Sequence, residues 1–427
     1  MKIASIAFGS HGDVLPALAL GTALQDQGHQ VRMVVGAEFT EVARKCGLEA
    51  TPAAVDFQKM LASELGREMF ESGNGATMLT FVRTMRRLFT QNGPALMEGV
   101  YRACTEIGAD AVIGSYTSDI YAQAVAEKLG IAYISAPVQP APLATRSGAA
   151  ALTALLPNRE SLVNLAFHKA MVEPFVWRIM KGPVNDFRRD VLGLPAWNNR
   201  SVQRLMRRTP ILTGYSRHVV PQPKDWPDTV HTTGFWLLDR DLGFTMPDDL
   251  LKFLDDGEPP VFITFGTAIK RDSPALTKLL IDAVAASGRR AIVQFGLANA
   301  GENGLPDNIY HLPGYVPFPD LFSRVAAVVH HGGAGTTSQV LLAGVPSVGI
   351  PHAGDQPFWA RRVAALGAGP RPIPAAKLTA DNLAHAIRQA TGELAYRERS
   401  AALGAKIRTE DGIGTAVTLI DKYLTAA

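Results

Sequence analysis

The chain has 427 residues, of which 47% are apolar and 19% charged, with a formal charge of +3. That length exceeds one ordinary core and suits two domains of about 200 residues each. The weak charge argues against nucleic acid as a partner. Cys46 and Cys104 have neither CxxC nor metal-ligand spacing and read as buried reduced thiols of a cytoplasmic protein. MKIASIAF runs at once into Gly-Ser-His-Gly-Asp, which predicts no signal peptide. No apolar run is long enough to cross a bilayer, so any membrane contact is expected to be peripheral.

Lys2 to Phe8 reads as a buried strand, followed by the turn Gly9-Ser10-His11-Gly12-Asp13 and an apolar-periodic helix to about Gln27. Gly28 ends that helix and Gln30 to Val35 is the next strand, a βαβ unit opening a doubly wound sheet. GSHGD is neither a GxGxxG fingerprint nor a Walker A loop. Asp13 has two compatible readings, an N-cap with Pro16 in the first turn or a general base above the sheet. Met78, Phe81, Met85, Leu88 and Phe89 form a stripe among Arg83, Arg86 and Arg87. It fits a helix packed on the core, or a lipophilic acceptor wall that would include Met85.

Ala111 to Gly114 is a further strand, and Tyr116 and Asp119 fall at its carboxyl end, where an acceptor site is expected. Asp119 either shapes the surroundings of His11 and Asp13 or caps the helix Ile120 to Leu129. Ile131 to Ala136 is a strand running into PVQPAPLA. Residues 145–208 hold apolar helical segments with Phe167, Phe175, Trp177 and Met180, read as core or as an acceptor-pocket lid. Pro210 to Tyr215 reads as the last strand of the first sheet, and the Pro-rich VVPQPKDWPDTVHTTGFWLLD as a linker. Asp239-Arg240-Asp241 spells DxD inside that linker, follows no strand end and is taken as accidental.

A second domain is expected from Met246. Pro260 to Phe265 is a strand ending in Gly266-Thr267, where a backbone approach and a hydroxyl suit a phosphate. A helix over Pro274 to Ser287 and a strand over Ala291 to Phe295 follow. The strand Ala326 to Val329 then ends in two histidines, a Gly-rich turn and a helix from about Thr336 to Leu342, with Gly344 as its C′ residue. Ser347 to Ile350 is the next strand. The helix N-terminus offers unpaired N–H groups to an anion, Gly333 and Gly335 let the backbone approach, Thr336 adds a hydroxyl and His331 an imidazole N–H. This predicts a diphosphate site. Asp355 and Gln356, past the following strand, are an acid and an amide suited to vicinal hydroxyls, so the pair of sites suggests a nucleotide sugar. Helices are expected over Trp359 to Leu366, Thr379 to Gln389 and Gly412 to Leu424.

HHGGAGTTSQVLLAGVPSVGIPHAGDQPFWARRV resembles the donor-binding signature of the family 1 glycosyltransferases. It is most similar to the branch with sterol and lipid glucosyltransferases, the rhamnolipid rhamnosyltransferase and glycopeptide-antibiotic glycosyltransferases. The resemblance implies an α/β, GT-B architecture, two Rossmann-like doubly wound domains facing each other across a cleft. The boundaries expected are 1–220 for an acceptor-binding domain, 221–245 for a linker, 246–405 for a nucleotide-sugar domain and 406–427 for a helix returning to the first domain. It implies that His331 and the amides at Gly335-Thr336 bind the donor diphosphate, with Gly266 and Thr267, and that Asp355 and Gln356 hold the sugar. His311-Leu312-Pro313-Gly314-Tyr315-Val316-Pro317 matches the region where relatives hold the nucleotide base, and Val316 supplies the base-reading amide.

GSHGDVLP resembles the family's GSRGDVxP loop, whose aspartate is the proposed base; Ser10 is counted here with the donor-binding residues. His11 stands where that branch usually has arginine, so assistance to Asp13, contact with the donor and exposure to solvent all stay open for it. The implied reaction is an inverting transfer without cofactor or metal, from UDP-glucose first or a dTDP-deoxysugar second, to a lipophilic small molecule. A sugar-nucleotide epimerase or a glycan phosphorylase would share the fold, but no motif supports a phosphorylase's cofactor lysine. A silent binding protein is opposed by the intact Asp13 and donor motif.

Overall fold

The structure is a computed structural model and describes residues 1–53, 55–56, 59–60, 63, 78–115, 118–141, 143–147, 160–240, 245–266, 274–294, 304–314, 316 and 318–426, the side chains of 78–82 and 175–176 excepted. It divides into two compact units, residues 1–242 with 410–427, and residues 243–409.

The first unit is built on strands β1 (Lys2–Ala7), β2 (Gln30–Val35), β3 (Glu49–Pro52), β4 (Ala111–Gly114), β5 (Ala132–Ser135), β6 (Ile211–Thr213) and β7 (Val230–Thr232). They form one parallel sheet in the order β3-β2-β1-β4-β5-β6-β7. β1 is apolar at four of its six positions because both its faces are covered, and Ile3 to Ala7 are buried. It pairs with β2 on one side and β4 on the other, Ile3 facing both Val31 and Ala111. The chain order reverses there, so the loops after β1 and β4 flank the crevice at the strand carboxyl ends. β7 lies inside the stretch read as linker. Three residues, Val-His-Thr, among prolines carry too little period-2 signal to announce a strand.

The helix His11–Asp26 starts one turn earlier than its apolar residues suggest, so Pro16 falls in its second turn and removes one ladder bond there. The helix Met78–Glu106 packs on the helix Glu173–Asp190, with Met97, Val100, Trp177, Met180 and Val184 in one core. Trp177 and Met180 are therefore core rather than lid. The terminal helix Gly412–Thr425 belongs to this unit, tied by His29 to Asp421 and by His231 to Tyr423, both at 2.8 Å. Cys46 and Cys104 are buried free thiols, and burial pushes Cys104 up to about 12. Arg240 pairs with Asp26 at 2.8 Å, while Asp241 lies outside the described residues.

The second unit holds β8 (Val261–Thr264), β9 (Ala291–Gln294), β10 (Ile309–Leu312), β11 (Ala327–His330) and β12 (Ser347–Gly349), parallel in the order β10-β9-β8-β11-β12. Alternate residues serve two cores: Val261, Ile263, Val293 and Val329 line one face, Phe262, Ile292, Leu312 and Val328 the other. The order reverses between β8 and β11, which puts the loop at Gly266 beside the loop at His331. The helix after β11 runs Ala334–Ala343, two residues earlier than its expected start, and Gly344 closes it in the left-handed conformation at φ 73°. A helix over Leu394–Ile407 was not foreseen. Among the described residues no helix is long and apolar enough to cross a membrane.

Candidate active site

After β1 the chain turns through Gly9, whose φ of +134° favours glycine. A Cβ there would meet Asp13 Oδ2 at 2.4 Å, so glycine also makes room for the carboxylate to fold back over the turn. Ser10, not Asp13, is the N-cap of the helix; Asp13 is its third residue. Asp13 Oδ2 accepts from the Ser10 N–H at 2.9 Å and from the Ser10 hydroxyl at 3.0 Å. Oδ1 accepts from Gln139 Nε2 at 3.2 Å. Burial raises the carboxyl above its ordinary value of 3.8, and the Ser10 and Gln139 bonds oppose the rise. The half-buried His11 stacks edge-on against Phe39 at 4.8 Å, and burial lowers its pKa.

At the end of the adjacent β4, the Asp119 carboxylate does not turn back on the helix it begins. It accepts from the hydroxyls of Tyr133 and Ser135, on β5, the latter at 2.9 Å. Burial pushes Asp119 up to about 7, against the pull of both hydroxyls. Met85 is half-buried against the first unit's core, as an amphipathic helix requires. Tyr116 lies outside the described residues.

In the second unit β11 ends in two histidines with different roles. His330 points into the core: Nδ1 accepts from the Gly332 N–H at 3.1 Å, so Nε2 carries the proton and donates to Ser347 Oγ at 2.7 Å. Burial lowers it to about 3. His331 lies between two glycines. A Cβ on Gly266, at φ +72°, would meet its Cε1 at 2.8 Å, and a Cβ on Gly333 would meet its Nε2 at 2.4 Å. Both glycines thus make room for the imidazole, a use of Gly333 that backbone approach to a phosphate did not anticipate. Burial, then the nearby His352, lower His331 to about 4, so at neutral pH it is an uncharged donor or acceptor. Its Nδ1 is enclosed with no hydrogen bond among the described residues.

The first bond of the helix ladder runs from the Thr337 N–H to the Gly333 carbonyl at 2.9 Å, so the N–H groups of Ala334, Gly335 and Thr336 precede it. These three amides and His331 cluster at one helix N-terminus, an arrangement whose donors and partial positive charge can receive an anion. A histidine held neutral in the folded state favours protonation of the unfolded chain below its free value of 6.5. Asp119 and Asp13, raised by burial, act in the opposite sense, so the test is the difference: between pH 6.5 and 4 the melting temperature of the unaltered chain should drop relative to that of His330→Gln in scanning calorimetry. Equal slopes would show that His330 is not held neutral.

Asp355 is the N-cap residue of the helix Gln356–Ala365, and its Oδ2 accepts from the Trp359 indole N–H at 2.9 Å. Gln356 is buried; its Oε1 accepts from the N–H groups of His352 and Ala353 at 2.9 and 3.3 Å. Only its amide N–H₂ is left to donate. The Val316 side chain is buried in one core with Phe262 and Leu312. A chain of bonds escaped the sequence reading: the Gly266 N–H donates to Thr264 Oγ1 at 3.3 Å, that hydroxyl to Gln294 Oε1 at 2.9 Å, and Gln294 Nε2 to the Gly314 carbonyl at 2.8 Å. It joins the loop after β8 to the loop after β10. Thr267 lies outside the described residues.

Residues 3–145 match the glycosyltransferase family 28 N-terminal domain, and residues 278–412 the C-terminal domain of the erythromycin biosynthesis protein CIII-like family. The whole chain is 30% identical to a sterol 3-beta-glucosyltransferase of Arabidopsis thaliana and 33% identical to one of Aspergillus fumigatus, covering 66% and 30% of those proteins. It thus spans two thirds or less of the relatives' own length. The calicheamicin glycosyltransferase CalG4 superposes with a TM-score of 0.72 at 16% identity, 99% of this chain on 98% of that one. Glycosyltransferase VinC in complex with DTDP gives 0.70 at 17% identity over all of both chains. Two parallel-sheet units with these likenesses are the GT-B fold, and the chain belongs to the glycosyltransferases that join a family 28 N-terminal domain to an EryCIII-like C-terminal domain.

Proposed function

We propose that the protein transfers a hexose from a nucleotide sugar to a hydroxyl of a lipophilic small molecule, inverting the anomeric centre and using no metal or other cofactor. The observation that carries this reading is His331, seated between Gly266 and Gly333 beside three unladdered helix amides. Asp13 takes the proton of the acceptor hydroxyl as its oxygen bonds to the anomeric carbon. The nucleoside diphosphate leaves with the bonding pair, and charge growing on its oxygens is met by His331 and the amides of Gly335 and Thr336. Ser10, Gly266 and Thr267 complete the donor contacts, the Val316 backbone reads the base, and Asp355 with the Gln356 amide holds the sugar. On the acceptor side stand Met85, Tyr116 and Asp119, with His11 beside the base.

UDP-glucose is the first donor, because the relatives that match end to end on this chain are named sterol 3-beta-glucosyltransferases. A dTDP-sugar is the second reading, supported by the likeness to a glycosyltransferase bound to DTDP. The deciding assay is a panel of both donor types against a sterol and a polyphenol, read by mass spectrometry and repeated with EDTA. No glycoside from any pair would refute the reading, and loss of activity with EDTA would refute metal independence. Asp355→Ala should raise donor KM by about tenfold and blur the choice between sugars. Unaltered selectivity among the donors would remove Asp355 from the sugar site.

A further inference from the structure

Two donors already occupy Asp13 Oδ2, the N–H and the hydroxyl of Ser10. A proton arriving on that oxygen would have to displace one of them. Among the described residues Oδ1 accepts one bond, from Gln139 Nε2 at 3.2 Å, and it keeps a lone pair for an incoming proton. Gln139 comes from the Pro-rich segment after β5 and is 9% exposed. Its Oε1 is enclosed and has no hydrogen bond among the described residues. No described residue therefore anchors the amide oxygen, and turning the amide over puts C=O where N–H₂ stood.

We infer that Gln139 is a positioning residue that serves both protonation states of Asp13 through Oδ1. This rests on Asp13 being the base. Before transfer the amide N–H₂ donates to the carboxylate and aims Oδ1. As the acceptor O–H breaks, its proton goes to Oδ1, its electron pair goes to the anomeric carbon, and the diphosphate leaves with the old bonding pair. The turned amide then accepts from the new Oδ1–H, through an oxygen that had no partner before. Asp13 later returns the proton to water.

Among the described residues the groups hydrogen-bonded to Asp13 are neutral: Ser10 from its own turn and Gln139 from the segment after β5. Of the titratable groups nearby, His11 on the same helix has its pKa lowered by burial, and Asp119, after β4, is bonded to Tyr133 and Ser135. No charged side chain contributes to the Asp13 shift. Removing the Gln139 donor thus leaves burial less opposed, and the carboxyl must titrate higher.

The test is the pH profile of kcat for Gln139→Leu and Gln139→Met, with UDP and dTDP binding by calorimetry as the folding control. The acidic limb should move up by about one pH unit, and kcat at neutral pH should fall by about tenfold with nucleotide affinity unchanged. In an Asp13→Asn background the same change should have no further effect on kcat. A fall in kcat with an unmoved limb, wild-type kinetics, or an undiminished effect in Asp13→Asn would each overturn the role of Gln139. Wild-type turnover by Asp13→Asn alone would instead refute the base on which it rests.

Discussion

Asp13→Ala should lose at least about 10²-fold in kcat while binding its donor almost as before. The contrast follows from where the carboxylate stands. It belongs to the first unit, fixed by Ser10 and Gln139, whereas the proposed donor contacts other than Ser10 come from the second. Alanine also removes the Ser10 N–H partner at a helix start, a loss of about 1 kcal/mol in stability. Asp13→Asn separates the two effects, because its amide oxygen can still accept from Ser10 yet cannot take up a proton. The active form is the carboxylate, so turnover in the unaltered enzyme should fade as pH drops through a value above 3.8, the direction in which burial moves this group. If both variants turn over normally, the base lies elsewhere.

His331→Ala should cost on the order of 10²-fold in kcat/KM, the effect of removing one preorganised donor to a developing oxyanion. The glycines around the ring supply an independent check. Gly333→Ala keeps the imidazole but places a methyl group where Nε2 now lies, 2.4 Å away, so the ring must leave its seat. Its backbone φ of −65° suits alanine, so contact rather than strain is tested. Gly333→Ala should therefore reproduce much of the His331→Ala loss in activity and in nucleotide affinity by calorimetry, with little change in melting temperature. An active Gly333→Ala enzyme would mean that the ring does not act from the position seen here.

What could be read from the chain alone was whatever lay close together along it. The segment from Ala327 to Gln356 announced itself because strand end, Gly-rich turn, helix and the following acid-amide pair fall within one βαβ unit. Gly9 to Asp13 was legible for the same reason. Gln139 was not: it sits in a Pro-rich loop without periodicity, and its partner is 126 positions away. Thr264 and Gln294 each look like the polar end of an apolar strand, and only the pairing of β8 with β9 shows that they bond to one another. Asp119 begins a helix, which suggests a cap; the hydroxyls that claim it come from the neighbouring strand. The doubling of purpose in Gly333, as a turn and as clearance for a ring, needs coordinates to see.

The unit of residues 243–409 is a single uninterrupted stretch, while the other unit needs residues 410–427 to be complete. In sequence, then, the unit proposed to hold the nucleotide sugar lies wholly inside the other. Exchange of donor preference with a relative should be attempted with two junctions, at 242/243 and at 409/410, so that the recipient keeps its own last helix. A chimera cut once and carried through to the end would strip His29 and His231 of Asp421 and Tyr423 and substitute a foreign tail on them.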